Sequence, residues 1–212
     1  MKTEDLIDAI VQDGASRQIS MAVRILIALV SGGILAAALF TQVLGVRPDI
    51  VQALQTWRFD TKVAIALACF AVALWATYEL TRPDADIRRA LSVLALPLGP
   101  LAVAVAYELI AFPMDTWMGR AIGTNSRLCL VSITAGSIAP LGALLFALRA
   151  GAARSPALAG AAASLLAGGL AATLYATHCV DDSPLFVALW YIPAFAFVAL
   201  IGATAGSRLL RW

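Results

Sequence analysis

The chain has 212 residues, of which 61% are apolar and 13% are charged, and its formal net charge is +2. A soluble domain carries roughly 25% charged residues, so a soluble fold of this composition would expose large apolar patches and aggregate. The small net charge argues against a nucleic-acid-binding protein. The composition instead indicates an integral membrane protein that forms one compact bundle.

The first 24 residues are predicted to form a cytoplasmic segment that opens with a short amphipathic helix. Its apolar residues recur at helical spacing, Thr3 is in position to act as the N-cap, and acids such as Asp5 occupy the first turn. A helix of about ten residues is marginal alone in water, and helices that bind membrane surfaces are normally basic. The pattern therefore predicts contact with a protein partner, although a frayed tail of no consequence is the alternative. The predicted contact residues are Thr3, Asp5, Leu6, Ile7, Ile10 and Val11.

Six apolar segments follow, each close to the roughly 20 residues that a helix needs to cross the hydrocarbon core. Segments of this length lack the two-residue alternation of a membrane barrel. The predicted fold is therefore all-α, a six-helix transmembrane bundle over residues 25–206 with a short tail at 207–212. The segments are approximately 25–44, 63–78, 90–112, 128–148, 156–176 and 185–206.

The positions of Lys and Arg predict that both termini are cytoplasmic. With the N-terminus inside, ten basic residues lie on the cytoplasmic side and five on the opposite side. The cytoplasmic set is Lys2, Arg17, Arg24, Arg82, Arg88, Arg89, Arg149, Arg154, Arg208 and Arg211, and the outer set is Arg47, Arg58, Lys62, Arg120 and Arg127.

Small residues in the last two segments predict close helix packing. They recur every fourth position, which lets helix backbones approach one another. The residues are Gly160, Ser164, Gly168 and Ala172 in the fifth segment, and Gly202 and Gly206 in the sixth.

Three cysteines occur, and the predicted topology separates them. Cys69 lies in the middle of the second segment, where a free thiol behaves as a small apolar group. Cys129 begins the fourth segment at its outer end, and Cys179 lies in the outer loop before the sixth. These two can meet if the fourth and fifth segments form an antiparallel hairpin.

The loop around Cys179 is the most polar of the chain and contains its one histidine, His178, together with Asp181 and Asp182. Thiolate and imidazole are ligands that soft metals prefer, and the same groups tune thiol reactivity. Three interpretations stay open: a static disulfide, a redox- or metal-responsive thiol pair, and a catalytic thiol. A metal would be a transient heavy-metal ion held by Cys129, Cys179 and His178. A membrane thiol oxidase generally presents a Cys-x-x-Cys pair, which this sequence lacks, so we predict no enzyme.

Glu108 is the one acid inside an apolar segment. Membrane carboxylates often mark ion or proton paths. This one is predicted to lie near the outer interface, where Arg120 or Arg127 is within reach, and we interpret it as structural.

Taken together, these features resemble the membrane anti-sigma factors of the negative-regulator-of-sigma-F type. The chain shares the Thr-Glu-Asp-Leu-Ile opening, six spanning segments, a cysteine at the start of the fourth segment, and a late stretch, 178–191. That stretch begins His-Cys-Val-Asp-Asp-Ser-Pro and ends Trp-Tyr. The family pattern reads His-Cys-Pro-Glu-Asp there, so Val180 and Asp181 depart from it.

The resemblance implies a signalling protein of the bacterial inner membrane with no cofactor. Such a protein holds an extracytoplasmic-function sigma factor at its cytoplasmic face and releases it under stress. Carried over, Cys129 and Cys179 would be the sensing pair, surrounded by His178, Asp181 and Asp182. The rival interpretations are a small-molecule or metal-ion transporter that uses Glu108 and His178, and a membrane thiol-redox protein.

Overall fold

A computed structural model describes residues 19–210, and this part of the chain is entirely helical. The predicted partner-contact residues (Thr3, Asp5, Leu6, Ile7, Ile10 and Val11) lie outside the described residues. In chain order the elements are α1 (Met21–Val43), α2 (Ile50–Ala53), α3 (Trp57–Leu80), α4 (Ile87–Ala95), α5 (Leu98–Ala111), α6 (Met114–Ile122), α7 (Ser126–Leu148), α8 (Pro156–Ala176), α9 (Pro184–Phe186), a π-helical turn (Val187–Tyr191) and α10 (Ile192–Leu209).

Within residues 19–210, six stretches are long and apolar enough to cross a membrane, as predicted. They are α1, α3, the pair α4–α5, the stretch α6–α7, α8, and the continuous stretch from α9 to α10. We call the end at which α1 finishes and α3 begins the outer end, following the orientation predicted from Lys and Arg. The opposite end is the inner end.

The second span was predicted to begin at position 63, and in the structure it begins earlier. Helix α3 starts at Trp57 and so includes Arg58 and Lys62. The prediction left these charged residues out of the segment because placing a charged group in hydrocarbon costs free energy. Lys62 is tolerated because its side chain is buried inside the protein and is paired with a carboxylate.

The third and fourth spans are each divided into two helices by a break. The third span is interrupted between α4 and α5 at Pro97, which lacks a backbone N–H and whose ring clashes with the carbonyl group four residues earlier. Helix α6 was not predicted, and it ends at Gly123, whose φ of +60° is readily adopted only by glycine.

Helix α8 lies at the centre of the bundle and packs against α3, α7 and α10. A Cβ added at Gly160 would lie 2.7 Å from the Cα of Gly206, and one at Gly206 would lie 2.7 Å from the Cα of Gly160. Real Cβ atoms do not approach this closely, so the predicted small-residue packing is confirmed. A second close crossing was missed, since a Cβ at Gly32 on α1 would lie 2.6 Å from the Cα of Pro140 on α7.

Candidate functional site

The structure brings Cys129 and Cys179 together at the outer end. Cys129 lies in the first turn of α7, and Cys179 lies in residues 177–183, which follow α8 and which we call the cysteine loop. Both are fully buried in one cluster with Tyr175 and Tyr191. Both are free thiols, and the third free thiol, Cys69, lies elsewhere on α3 and is only partly buried. The sequence predicted that Cys129 and Cys179 can meet if the fourth and fifth segments form an antiparallel hairpin, and α7 and α8 are arranged in this way.

The Cys179 thiol is sheltered. Its Sγ lies 3.9 Å from the backbone oxygen of Asp181. Burial raises the pKa of Cys179, and the nearby Lys62 ammonium partly opposes that rise. Because the thiolate is the reactive form, a buried thiol with a raised pKa reacts slowly until the loop opens. This resting geometry differs from that of an activated catalytic thiol.

Two cations hold the backbone of the cysteine loop. The carbonyl oxygen of Cys179 accepts hydrogen bonds from Lys62 Nζ at 2.7 Å and from Arg47 Nη1 at 3.2 Å. Asp182 pairs with the same two side chains, and its distance to Arg47 Nη1 is 2.8 Å. The Lys62 side chain is fully buried, so these partners compensate the loss of its hydration. The carbonyl oxygen of Cys179 is therefore part of a buried ionic cluster.

Asp181 joins the cysteine loop to the start of α7. Its carboxylate accepts hydrogen bonds from the backbone N–H of Thr124 at 3.1 Å and of Asn125 at 2.8 Å, and from the Asn125 amide at 3.0 Å. A carboxylate at this position satisfies N–H groups at the helix start and complements the helix dipole. Asp181 thus links the loop that carries Cys179 to the helix that carries Cys129.

The imidazole ring of His178 contacts the backbone just after α1. Its Nδ1 lies 2.9 Å from the carbonyl oxygen of Gly45, just after α1, and its ring packs near Phe40 and Tyr175. Within residues 19–210, no group of three or more His, Cys, Asp or Glu side chains is placed to hold a metal ion. A metal response through Cys129, Cys179 and His178 therefore stays a prediction.

Glu108 is fully buried and anchors the far end of the loop. Its Oε2 accepts a hydrogen bond from Ser183 Oγ at 2.7 Å, and its Oε1 accepts one from Arg120 Nη1 at 3.1 Å. The predicted partner Arg120 is confirmed. Ser183 also caps α9, as its side chain accepts from the backbone N–H of Leu185, so one hydroxyl fixes both the loop and the helix that follows.

Sequence reasoning missed the roles of Arg47 and Lys62, which it counted only as outer basic residues. One signal was available. The loop between the fifth and sixth segments holds two adjacent acids and no Lys or Arg, so a cation that pairs with these acids has to come from another segment.

Comparison with known proteins gives full-length relatives of this chain. Residues 11–212 match the family model described as "Negative regulator of sigma F". Over the full length of both chains, the sequence is 36% identical to the anti-sigma-F factor NrsF of Caulobacter vibrioides and 34% identical to the probable anti-sigma-F factor NrsF of Azospira oryzae. No solved structure matches the chain significantly. A match over this much of the chain, with two full-length relatives, shows that the protein belongs to the NrsF family, the negative regulators of sigma F.

Proposed function

We propose that this protein is an anti-sigma factor of the bacterial inner membrane. It holds an extracytoplasmic-function sigma factor at its cytoplasmic face and releases it when a periplasmic stress alters Cys129 and Cys179. Family membership supports the regulatory part. The observation that carries the sensing part is that two free thiols, far apart in sequence, share one buried cluster beneath a loop that other elements hold in place.

The chemical change at the thiols has two forms. In oxidation, each thiol loses a proton, the sulfur atoms form a disulfide, and two electrons pass to an oxidant of the peroxide class. In metal capture, a soft cation replaces the thiol protons, and His178 becomes the further ligand once its ring leaves the Gly45 carbonyl oxygen. Either event removes the buried neutral thiols on which the resting packing depends.

The route from the loop to the cytoplasm runs through α1. The backbone N–H of Arg47 donates to the carbonyl oxygen of Thr177 at 3.0 Å, and His178 contacts Gly45. Residues 45–47 directly follow α1, and the residues before α1 are those predicted to contact the partner. A displaced cysteine loop therefore pulls on the helix that leads to the partner-binding segment. A coupling of about 1–3 kcal/mol changes partner affinity roughly 5- to 150-fold.

The partner is tested by capturing the tagged protein from membranes, with and without residues 1–20, and identifying the bound cytoplasmic proteins. We expect a sigma factor that is lost on truncation. A sigma factor that stays bound moves the contact to the inner loops, and the absence of any sigma factor contradicts the proposed function.

The sensing pair is tested by transcription from a promoter that depends on the captured sigma factor. In the double variant Cys129→Ser/Cys179→Ser, transcription from this promoter is expected to stay repressed under oxidant or heavy-metal stress. In the matched control Cys69→Ser, transcription is expected to rise as in the wild type. A double variant that responds like the wild type refutes cysteine sensing and leaves the sigma partner intact.

The structure gives no specific support to the transporter alternative. Glu108, the side chain that such a path would use, is engaged by Arg120 and Ser183 at the outer end. An uptake assay in proteoliposomes is expected to show no solute movement.

A further inference from the structure

An open apolar groove of about 850 Å³ separates α3 from α5. Val103 on its wall is 72% exposed, so the groove opens to the surroundings of the helices, which for a spanning segment are acyl chains. Its walls include Trp57, Thr61 and Ala64 on α3, and Val103, Ala104 and Tyr107 on α5.

Aromatic side chains mark the outer end of the groove. Trp57 and Tyr107 make an edge-to-face contact with their ring centroids 5.2 Å apart. Trp and Tyr concentrate where the hydrocarbon meets the polar headgroups. The groove therefore runs from the hydrocarbon up to headgroup level.

Cationic groups with incomplete pairing lie at the same end. The guanidinium carbons of Arg58 and Arg120 lie 4.6 and 3.8 Å from the centroid of the Phe112 ring. Glu108 is their shared carboxylate, and its two oxygens already accept hydrogen bonds from Arg120 and Ser183. Two guanidinium groups thus share the single negative charge of one carboxylate.

Arg58 is the group left over. Its Nε lies 3.5 Å from the Oε1 of Glu108, and within residues 19–210 this buried nitrogen has no hydrogen-bond partner. A buried donor without an acceptor costs about 1–3 kcal/mol. The Arg58 side chain as a whole is 27% exposed, so an acceptor from outside the protein can reach its exposed part, while the Nε stays buried.

We propose that this groove binds an anionic phospholipid, with one acyl chain between α3 and α5 and the lipid phosphate on Arg58. Arg58 lies beside the groove, and its guanidinium carbon is 5.6 Å from the centroid of the Trp57 ring. Guanidinium groups bind phosphate through two parallel hydrogen bonds, and a cationic side chain near a membrane surface attracts anionic lipids. A zwitterionic lipid has the same phosphate, but its ammonium group would lie beside the Arg58–Arg120 pair. The excess positive charge therefore favours a lipid with a net negative charge. This site is independent of the sigma partner.

The test uses the full-length protein in nanodiscs that contain equal amounts of phosphatidylglycerol and phosphatidylcholine, followed by native mass spectrometry of the lipids it retains. The wild type is expected to retain phosphatidylglycerol over phosphatidylcholine about fivefold, the preference expected for one basic residue near the headgroups. Arg58→Gln is expected to bring the ratio close to one. Arg127→Gln, which removes an exposed outer cation on α7 and not on either groove helix, keeps the preference.

A second variant tests the acyl-chain part. Ala64 is exposed on the groove wall, so Ala64→Phe fills the groove without disturbing the core and is expected to lower the retention of both lipids. A wild-type ratio near one overturns the proposal, as does an equal fall in Arg58→Gln and Arg127→Gln. Retention unchanged by Ala64→Phe, or a second copy of the chain bound in place of lipid, also overturns it.

Discussion

Different interactions stabilise the outer and inner ends of this bundle. At the outer end, Lys62, Arg47 and Asp182 form a buried ionic cluster around the backbone of the cysteine loop. At the inner end, α8 and α10 meet at Gly160 and Gly206 with their backbones in direct contact. Two helices packed closely at glycines have one favourable relative position. An ionic cluster is stable only while all its members stay in place. A chemical change at one residue of the outer end is therefore expected to displace several elements.

The largest expected effect comes from breaking the ionic cluster. Lys62→Met leaves Asp182 without its buried ammonium partner, and removing one member of a buried pair typically costs about 3–5 kcal/mol. The free energy of unfolding, measured in detergent with a denaturant, is expected to fall by this amount. Arg88→Met, at an exposed inner position, serves as the control and should leave the unfolding free energy nearly unchanged. A Lys62→Met protein as stable as the wild type would show that the outer end is not held by charge.

The inner interface is tested by adding a single methyl group. In Gly160→Ala the new Cβ meets the backbone of Gly202 and Gly206, so the helices must separate, and overpacking of this kind costs about 1–3 kcal/mol. In Gly142→Ala the new Cβ has no atom of the described residues within 4 Å, and stability should be unchanged or slightly improved. Equal unfolding free energies for the two variants would contradict the close approach of α8 and α10.

Asp181 gives a smaller effect that separates a structural link from a surface charge. Asp181→Ala removes the acceptor for the backbone N–H groups of Thr124 and Asn125, which immediately precede α7, and the net contribution of such a hydrogen bond is about 0.5–1.5 kcal/mol. Asp84→Ala breaks an exposed inner pair with Arg82 and should cost less than about 1 kcal/mol. A direct comparison of the two thermal midpoints checks the order, and the reverse order would argue against the loop–α7 link.

The smallest effect is a pH dependence at Cys179. Because burial raises its pKa, the folded protein keeps the thiol proton at a pH where the unfolded chain has released it. Stability is therefore expected to decline as pH rises through the ordinary thiol range, and less so in Cys179→Ser. Alkylation of Cys179 by iodoacetamide should also be slower than that of a free cysteine, with its rise displaced to higher pH. Alkylation as fast as that of a free cysteine would contradict a sheltered thiol.

The sequence alone determined the features that depend on local composition. Six spans follow from stretches of apolar residues, and the small-residue interface follows from a four-residue repeat at Gly160, Ser164 and Gly168. The same topology put Cys129 and Cys179 at one end. Span length and helical spacing are properties of neighbouring residues, so they can be read without knowing what packs against them.

Only the tertiary structure decided which charges belong to the site. Lys62 and Asp182 are 120 positions apart and Arg47 and Asp182 are 135 apart, so the sequence does not indicate their pairing. The prediction therefore began the second span at position 63, just after Lys62, and counted Arg47 and Arg58 only as basic residues of the outer side. A charge in a spanning helix is acceptable only where another segment supplies its partner, and that depends on how the six helices pack.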